Sequence, residues 1–221
     1  MSIILNIDSS LQESSVSIAR DGSMLQHLTN SSQKDHAAFL HKAIKEVLNA
    51  AGFTSKNLDA IAVTAGPGSY TGLRVGFAAA KGLSYALGKP LISINTTEAM
   101  AKAVWLANGK QPGYYCPMID ARRNEVYTAI YDSDLKEIAS PYAMIVTPAS
   151  YSSLPEAENI FIFGSGAEKL KNICVRPNVL LKENREIFST LAGISFQKFQ
   201  EKKFAVLMNA VPVYGKEFYT A

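Results

Sequence analysis

The 221-residue chain has the composition of an ordinary globular protein, with 48% hydrophobic and 19% charged residues. A formal net charge of +3 is far below that of a dedicated nucleic-acid-binding protein, and no apolar run is long enough to cross a bilayer. Its two cysteines, Cys116 and Cys174, form no disulfide framework and no CxxC motif. We therefore expect a cytoplasmic protein with one large or two small domains.

The first half of the sequence begins with three short strands and a helix. Asp21-Gly22 between the second and third strands predicts a tight hairpin. The helix that follows is expected to be capped by Asp35 and ended by Gly52, with apolar residues at helical spacing between them. The three strands are predicted at residues 3–8, 15–19 and 24–28.

A glycine-rich stretch at residues 66–76, GPGSYTGLRVG, follows a buried strand and opens a helix that runs to about residue 87. Such a turn leaves backbone N–H groups unpaired beside the positive end of the helix dipole, which suits an anion such as phosphate. The spacing matches neither the Walker nor the dinucleotide pattern, and a turn that needs glycine only for its backbone is the alternative. The residues expected to form this anion-binding or nucleotide-binding turn are Asp8, Gly66, Gly68 and Ser69.

The second half repeats the theme of the first after a boundary at residues 109–113, which are rich in glycine and proline. It begins with a hydrophobic strand that ends in Asp120, as the first strand of the chain ends in Asp8. We predict two small α/β domains, at residues 1–108 and 109–221, of which the second is smaller. The remaining elements are predicted at 91–95, 97–108, 115–120, 125–131, 137–146, 160–163 and 186–202, with an extended tail at 211–216.

This duplicated order of strands and helices resembles the actin-like ATPase and sugar-kinase superfamily, a ribonuclease H-like α/β fold with mixed sheets. The residues resemble the bacterial TsaB (YeaZ) family more specifically, over nearly the whole chain. The tail departs slightly, because Gly215 and Lys216 follow Tyr214 where the family often has an arginine. The matching segments are 7–10 (IDSS), 66–76, 120–127 (DARRNEVY), and Pro212 with Tyr214.

The resemblance implies a role in making the threonylcarbamoyladenosine modification of tRNA. A member of this family is expected to be the partner of a TsaD-like catalytic subunit, together with a TsaE-like ATPase. It would form a homodimer when alone, meet tRNA indirectly through the complex and bind no membrane. No cofactor of its own is implied, although ATP or ADP could bind at the interface of the complex.

The catalytic relatives are expected to carry the motif Asn-His-x-x-x-His after the same glycine motif, where two histidines at i and i+4 share a metal ion. In this sequence Thr96 and Met100 stand at those two positions. A threonine hydroxyl is a poor ligand for borderline metals, and a thioether favours copper. We therefore expect no metal site and no catalytic residue, which favours a non-catalytic subunit.

Small residues recur every four positions on the helix after the glycine motif, and apolar residues surround most of its axis. A helix of this kind is buried on more than one side, so in a thin two-layer domain we expect another chain to cover part of it. The alternative is a helix buried wholly within its own domain. The predicted interface residues are Gly72, Leu73, Arg74, Gly76, Phe77, Ala80, Lys81 and Ser84.

Two other classes of function stay open, an enzyme (an actin-like ATPase or an M22-type peptidase-like enzyme) and a direct tRNA-binding module. Asp8 and Asp120 could position a metal-bound nucleotide in an actin-like ATPase, although polar strand ends hydrogen-bonded to neighbouring turns are the favoured explanation. An M22-type peptidase-like enzyme is disfavoured because the histidine pair is missing. A direct tRNA-binding module would use scattered basic residues, which are usually a solvated surface. They are Lys34, Lys42, Lys45, Lys102, Arg122 and Arg123.

Overall fold

The computed structural model of the chain describes residues 1–31 and 36–215. They form two compact units, each built around one five-stranded mixed sheet. Of the described residues, unit 1 contains 1–31, 36–96 and 188–213, and unit 2 contains 97–187 and 214–215. Among the described residues, no helix has the length and apolar character that crossing a membrane requires.

Unit 1 has the strand order β3-β2-β1-β4-β5, in which β1, β4 and β5 are parallel and β2 and β3 antiparallel to their neighbours. Asp21 and Gly22 form the predicted hairpin turn, with φ angles of 48° and 80°. The Asp35 predicted to cap α1 lies outside the described residues. The elements of unit 1 are β1 (Ile3–Asp8), β2 (Ser14–Arg20), β3 (Ser23–Asn30), α1 (His36–Ala50), β4 (Ala60–Gly66), α2 (Tyr70–Leu87), β5 (Leu91–Asn95) and, after unit 2, α5 (Phe188–Gln200).

Unit 2 repeats this topology strand for strand, because its sheet has the order β8-β7-β6-β9-β10 with the same pattern of parallel and antiparallel pairs. The short elements α4 and β10 are only five and three residues long and were not predicted. The elements of unit 2 are α3 (Thr96–Ala107), β6 (Tyr114–Asp120), β7 (Glu125–Tyr131), β8 (Glu137–Ile145), β9 (Ile160–Phe163), α4 (Ala167–Lys171) and β10 (Val179–Leu181).

The sheet of unit 1 is covered on both faces, so the expectation of a thin two-layer domain is wrong. Ile3, Leu5 and Ile7 alternate along β1 and pack in one core with α1 and α2. Ile4 and Asn6 point to the opposite face and are also buried. Helix α5 packs against β1, β2 and β5 and supplies a third layer from the far end of the sequence.

The compact units differ from the predicted domains at 1–108 and 109–221. Helix α3 belongs to unit 2 from its second residue, Thr97, whose hydroxyl lies 3.0 Å from the Tyr131 hydroxyl, and the Trp105 indole N–H donates to the Ser133 carbonyl at 2.8 Å. Residues 188–213 return to unit 1, because the apolar face of α5 is buried against its sheet. The glycine and proline residues near 109–113 mark a turn inside unit 2 rather than its start.

Residues 204–213, which we call the C-terminal strap, cross unit 1 after α5. The Ala205 N–H donates to the Leu91 carbonyl of β5 at 2.8 Å, and the Val213 N–H donates to the Ala65 carbonyl of β4 at 2.7 Å. Between these two points the Lys81 ammonium of α2 donates to the Ala210 carbonyl at 2.8 Å. The strap therefore fixes the end of β4 from which the glycine-rich turn begins.

Candidate functional site

The glycine-rich turn before α2 packs tightly against the loop that follows β1. A Cβ atom added at Gly68 would overlap the Ser10 carbonyl oxygen, and one added at Gly72 would overlap the Ser9 carbonyl oxygen. Gly66 has a φ of +109°, and a Cβ there would overlap the carbonyl oxygen of Val213 in the strap. Glycine is needed at these positions because the chain's own backbone comes so close.

This packing does not suit the nucleotide that the fold family implies. Carbonyl oxygens are the negative ends of backbone dipoles, and those of Ser9 and Ser10 lie directly against Gly72 and Gly68 of the turn. The Ser69 N–H already donates to the Ser10 carbonyl at 2.7 Å, and the Ser69 hydroxyl accepts from the Gly72 N–H at 3.3 Å. The alternative interpretation, a turn that needs glycine for its backbone, fits these contacts better than an anion site.

Asp8 stabilises the loop after β1 through hydrogen bonds to its side chain. Its side chain is 2% exposed, and its Oδ1 atom accepts hydrogen bonds from the Thr64 hydroxyl at 2.7 Å, the Ser10 hydroxyl at 2.7 Å and the Ser10 N–H at 2.9 Å. Burial raises the pKa of this carboxyl, and the hydrogen bonds from Thr64 and Ser10 oppose that shift. Asp8 is therefore buried and fixes the loop by hydrogen bonds, and its carboxyl group is not exposed at the surface.

Asp120, the equivalent strand end in unit 2, is exposed and ion-paired. Its Oδ1 atom accepts from the Lys169 ammonium at 2.6 Å and from the Arg122 N–H at 2.6 Å. The hydrogen bond from Lys169 is the main cause that lowers the pKa of this carboxyl. Asp8 and Asp120 both end the first strand of their half of the sequence, yet Asp8 is buried and Asp120 is exposed.

Thr96 and Met100, at the positions where the catalytic relatives are expected to carry histidines, are both fully buried. Thr96 is 0% exposed and its hydroxyl oxygen has no hydrogen-bond partner among the described residues. The Met100 methyl group packs against Gly164, 2.7 Å from where a Cβ would stand. Within residues 1–31 and 36–215, no three His, Cys, Asp or Glu side chains are grouped so as to hold a metal ion.

The inner face of α2 is the side that packs inside unit 1. The structure differs here from the predicted interface, because six of its eight residues are covered by the chain itself. The carbonyl oxygen of Gly72 accepts from the Ser9 hydroxyl at 2.7 Å, and a Cβ at Gly76 would overlap that same hydroxyl oxygen. The small residues allow the loop after β1 to approach, not another chain. The six residues of the inner face are Gly72, Leu73, Gly76, Phe77, Ala80 and Ser84.

The outer face of α2, formed by Tyr70, Arg74, Ala78, Gly82 and Tyr85, is exposed to solvent. Tyr85 is 79% exposed and Tyr70 40%, and the Arg74 guanidinium lies 4.0 Å from the centre of the Tyr70 ring. A Cβ added at Gly82 would meet nothing within 4 Å. Tyrosine and arginine are the residues that most often anchor protein interfaces, and small residues between them leave room for a partner.

A groove of about 580 Å³ lies beside this face, between α1 and α2. Its floor is apolar, with Ile44 and Leu48 from α1 and Leu83 from α2, while His41 and Lys45 stand at its edge. Of the predicted interface residues, Arg74 is exposed and Lys81 is half-buried with its ammonium bound to the strap. Four outer-face residues were not among the predicted interface residues: Tyr70, Ala78, Gly82 and Tyr85. Nevertheless, Arg74, Lys81 and Tyr85 interrupt the apolar pattern and mark this side as solvent-facing.

Comparison with known proteins identifies the family. The family model described as "TsaD: tRNA N6-adenosine threonylcarbamoyltransferase" matches residues 24–210 of the chain. The tRNA threonylcarbamoyladenosine biosynthesis protein TsaB of Escherichia coli is 26% identical over 218 residues, which cover 96% of this chain and 93% of that protein. The chain belongs to the TsaD family, in its TsaB/YeaZ branch. Other curated TsaB relatives, 31–36% identical, align over 51–60% of their own lengths.

Solved structures agree with the TsaB/YeaZ assignment. YeaZ from Pseudomonas aeruginosa is 26% identical, with a TM-score of 0.80 over 97% of this chain and 100% of that one. The Lmo2764 protein of Listeria monocytogenes, assigned as an N-acetylmannosamine kinase, shares the fold alone at 13% identity, with a TM-score of 0.53 over 90% of this chain and 99% of that one. The expected duplicated actin-like fold and the resemblance to TsaB/YeaZ are both confirmed.

Proposed function

We propose that the chain is a non-catalytic subunit required for transfer of a threonylcarbamoyl group to adenosine of tRNA. It acts with a TsaD-like catalytic subunit and a TsaE-like ATPase. The family name and the name of the Escherichia coli relative support the reaction. The observation that carries the non-catalytic role is the buried pair Thr96 and Met100 at the expected ligand positions.

The chemistry of this pair argues against a catalytic centre here. Neither a threonine hydroxyl nor a thioether replaces an imidazole as a ligand for iron or zinc. Met100 fills the space beside Gly164, so its side chain serves the packing of unit 2. A subunit with this substitution needs another chain to supply the reactive site.

The outer face of α2 and the adjoining groove are the proposed docking surface for the TsaD-like subunit. They combine an apolar floor, two exposed tyrosines and a stacked arginine, and the small residues Ala78 and Gly82 lie between these anchors. A second copy of this chain competes for the same surface when the catalytic subunit is absent, which accounts for the homodimer that the resemblance implies.

A reconstituted transfer assay tests the proposal. The full chain, a TsaD-like subunit, a TsaE-like ATPase, ATP, the threonylcarbamoyl precursor and unmodified tRNA are combined, and each protein is then left out in turn. We expect modified adenosine only when all three proteins are present. Modification by this chain without the TsaD-like subunit would refute the non-catalytic role, and full modification without this chain would refute the requirement for it.

The ATPase alternative is tested in parallel. The carbonyl oxygens of Ser9 and Ser10 pack against the glycine-rich turn and place negative dipole ends there, so we expect no ATP hydrolysis by the purified chain. Hydrolysis that is lost in Asp8→Ala, with the far-ultraviolet circular dichroism spectrum unchanged, would favour an actin-like ATPase instead.

A further inference from the structure

The turn between β6 and β7 presents two neighbouring arginines in an unusual backbone conformation. Arg122 has a φ of +68° and Arg123 a φ of +48°, and both residues are exposed. Positive φ is uncommon outside glycine and is adopted here by two bulky residues in succession. Such outliers persist only where the surrounding structure holds them, and they concentrate at functional sites.

Hydrogen bonds brace this turn from both sides. The Arg122 N–H donates to Asp120 Oδ1 at 2.6 Å, and the Ala121 N–H donates to the Glu125 carbonyl at 3.1 Å. The Lys169 ammonium links Asp120 Oδ1 to the Glu125 carbonyl, at 2.6 and 2.9 Å. The backbone that carries the two arginines is therefore fixed.

A third brace comes from the chain after β8. The Asn124 amide donates to the Val146 carbonyl at 2.6 Å, and the Val146 N–H donates to the Asn124 carbonyl at 2.8 Å. Asp120 forms its ion pair with Lys169, and Arg122 has a weaker electrostatic interaction with the same carboxylate. In the part of the chain that the structure describes, neither guanidinium forms an ion pair with a carboxylate.

We propose that Arg122 and Arg123 bind phosphate groups of the RNA backbone, so that this chain touches tRNA directly. A guanidinium presents a planar fork of N–H donors that pairs with phosphate oxygens, and a fixed backbone lowers the entropy lost when two such forks bind. The choice of RNA as the polyanion rests on the proposed function. This direct contact is additional to the indirect contact through the complex that the family resemblance implies.

The experiment measures binding of a fluorescently labelled, unmodified tRNA transcript to the full chain over a series of salt concentrations. Arg122→Gly with Arg123→Gly removes both charges and leaves residues that adopt positive φ freely, so the fold is retained. We expect about tenfold weaker binding at low salt and a salt dependence reduced by about one to two phosphate contacts. Arg122→Lys with Arg123→Lys keeps the charges but removes the planar forks, and we expect its affinity to lie between those of the unaltered chain and the glycine pair.

The matched control is Lys136→Ala with Arg185→Ala, which removes two positive charges from other exposed loops of unit 2. Binding by the glycine pair that equals binding by this control would overturn the proposal, as would the absence of salt-sensitive tRNA binding by the unaltered chain. Titration with ATP and ADP tests whether the two arginines bind the phosphate groups of a nucleotide instead of those of RNA. If the glycine pair loses nucleotide binding and keeps tRNA binding, the site belongs to a nucleotide and the proposal is wrong.

The outcome is independent of the transfer assay. RNA binding is scored without catalysis, and the requirement for the chain in tRNA modification is scored with the unaltered sequence. Either result can therefore fail while the other stands.

Discussion

The two faces of α2 look alike in sequence and have opposite roles in the structure. The inner face carries glycine and alanine at 72, 76 and 80, and the outer face carries alanine and glycine at 78 and 82. A Cβ at Gly72 meets a backbone oxygen of the same chain, whereas a Cβ at Gly82 meets nothing within 4 Å. Small residues thus serve internal contact on one side and leave an open surface on the other.

This difference shows what a stripe of small residues can and cannot indicate. The spacing correctly predicts that something comes very close to the helix at 72, 76 and 80. It does not reveal whether the neighbour belongs to the same chain, because that depends on the loop after β1, which is distant in sequence. The residues that interrupt the apolar pattern, such as Tyr85, locate the solvent side more reliably.

The largest expected effect is on the inner face. Gly72→Ala places a methyl group against the Ser9 carbonyl oxygen, which a rigid backbone cannot easily avoid. We expect the free energy of unfolding to fall by about 3 kcal/mol in urea denaturation. An unchanged urea midpoint would mean that the loop after β1 moves freely and that the inner face is not closed.

On the outer face, Ala78→Arg should damage association and spare the fold. A long charged side chain beside the groove would obstruct a partner, and we expect binding to the TsaD-like subunit to weaken at least about tenfold. Pull-down and light scattering measure hetero-association and self-association, with urea denaturation as the control for stability. Unchanged association by both measurements would place the partner on another surface.

The pH dependence of stability tests the role of Asp8 in the loop after β1, which covers the inner face of α2. Because burial raises the pKa of this carboxyl, the folded chain keeps a proton that the unfolded chain has already lost. Stability attributable to Asp8 therefore falls as pH rises from the unfolded pKa, about 3.9, towards the higher folded pKa. Asp8→Asn keeps an oxygen that accepts hydrogen bonds and cannot ionise, so we expect it to lack this decline between pH 4 and 8.

Asp21→Asn is the matched control for this pH series. The Ser2 N–H donates to Asp21 Oδ1 at 2.7 Å and is the main cause that lowers the pKa of that carboxyl. The stability from Asp21 is present above the unfolded pKa and is lost as pH falls through the folded one, which is the opposite sign. If Asp8→Asn loses more stability at pH 7 than at pH 4, an ionised Asp8 stabilises the loop and our interpretation is wrong.

The smallest expected effect is a gain on the outer face. Gly82 lies inside α2 with open space around it, so Gly82→Ala should raise the free energy of unfolding by about 0.8 kcal/mol. Gly88 has the same open surroundings but a φ of +62° at the end of the helix. Gly88→Ala should therefore destabilise the chain, and a gain at both positions would contradict the backbone explanation.

Much of the fold was predictable because the strands and helices carry their own periodic patterns. The repeated strand ends at Asp8 and Asp120 correctly indicated a duplicated architecture, and local turn residues such as Asp21-Gly22 fixed the first hairpin. The domain boundary was not predictable from local signals. Glycine and proline near residue 109 mark a turn equally well inside a domain, and the return of α5 to unit 1 depends on burial of its apolar face.

The candidate site was predictable only in part. The replacement of the expected histidines by Thr96 and Met100 is visible in the sequence. The burial of Asp8 and the closure of the glycine-rich turn are not, because they follow from where the Ser9 and Ser10 carbonyls point. The bracing of Arg122 likewise depends on Lys169, which lies 47 positions further along the chain (169 − 122 = 47).

The return of residues 188–213 to unit 1 also governs the order in which the protein is made. All five strands of the first sheet have been synthesised by residue 95, yet the helix that covers one of its faces starts only at residue 188. At about 5–20 residues per second, the 118 residues from 95 to 213 occupy a ribosome for roughly 6–24 s. Throughout this time the nascent sheet lacks the helix that covers the face of β1 carrying Ile4 and Asn6, so a fragment that stops at residue 108 is an unfinished domain.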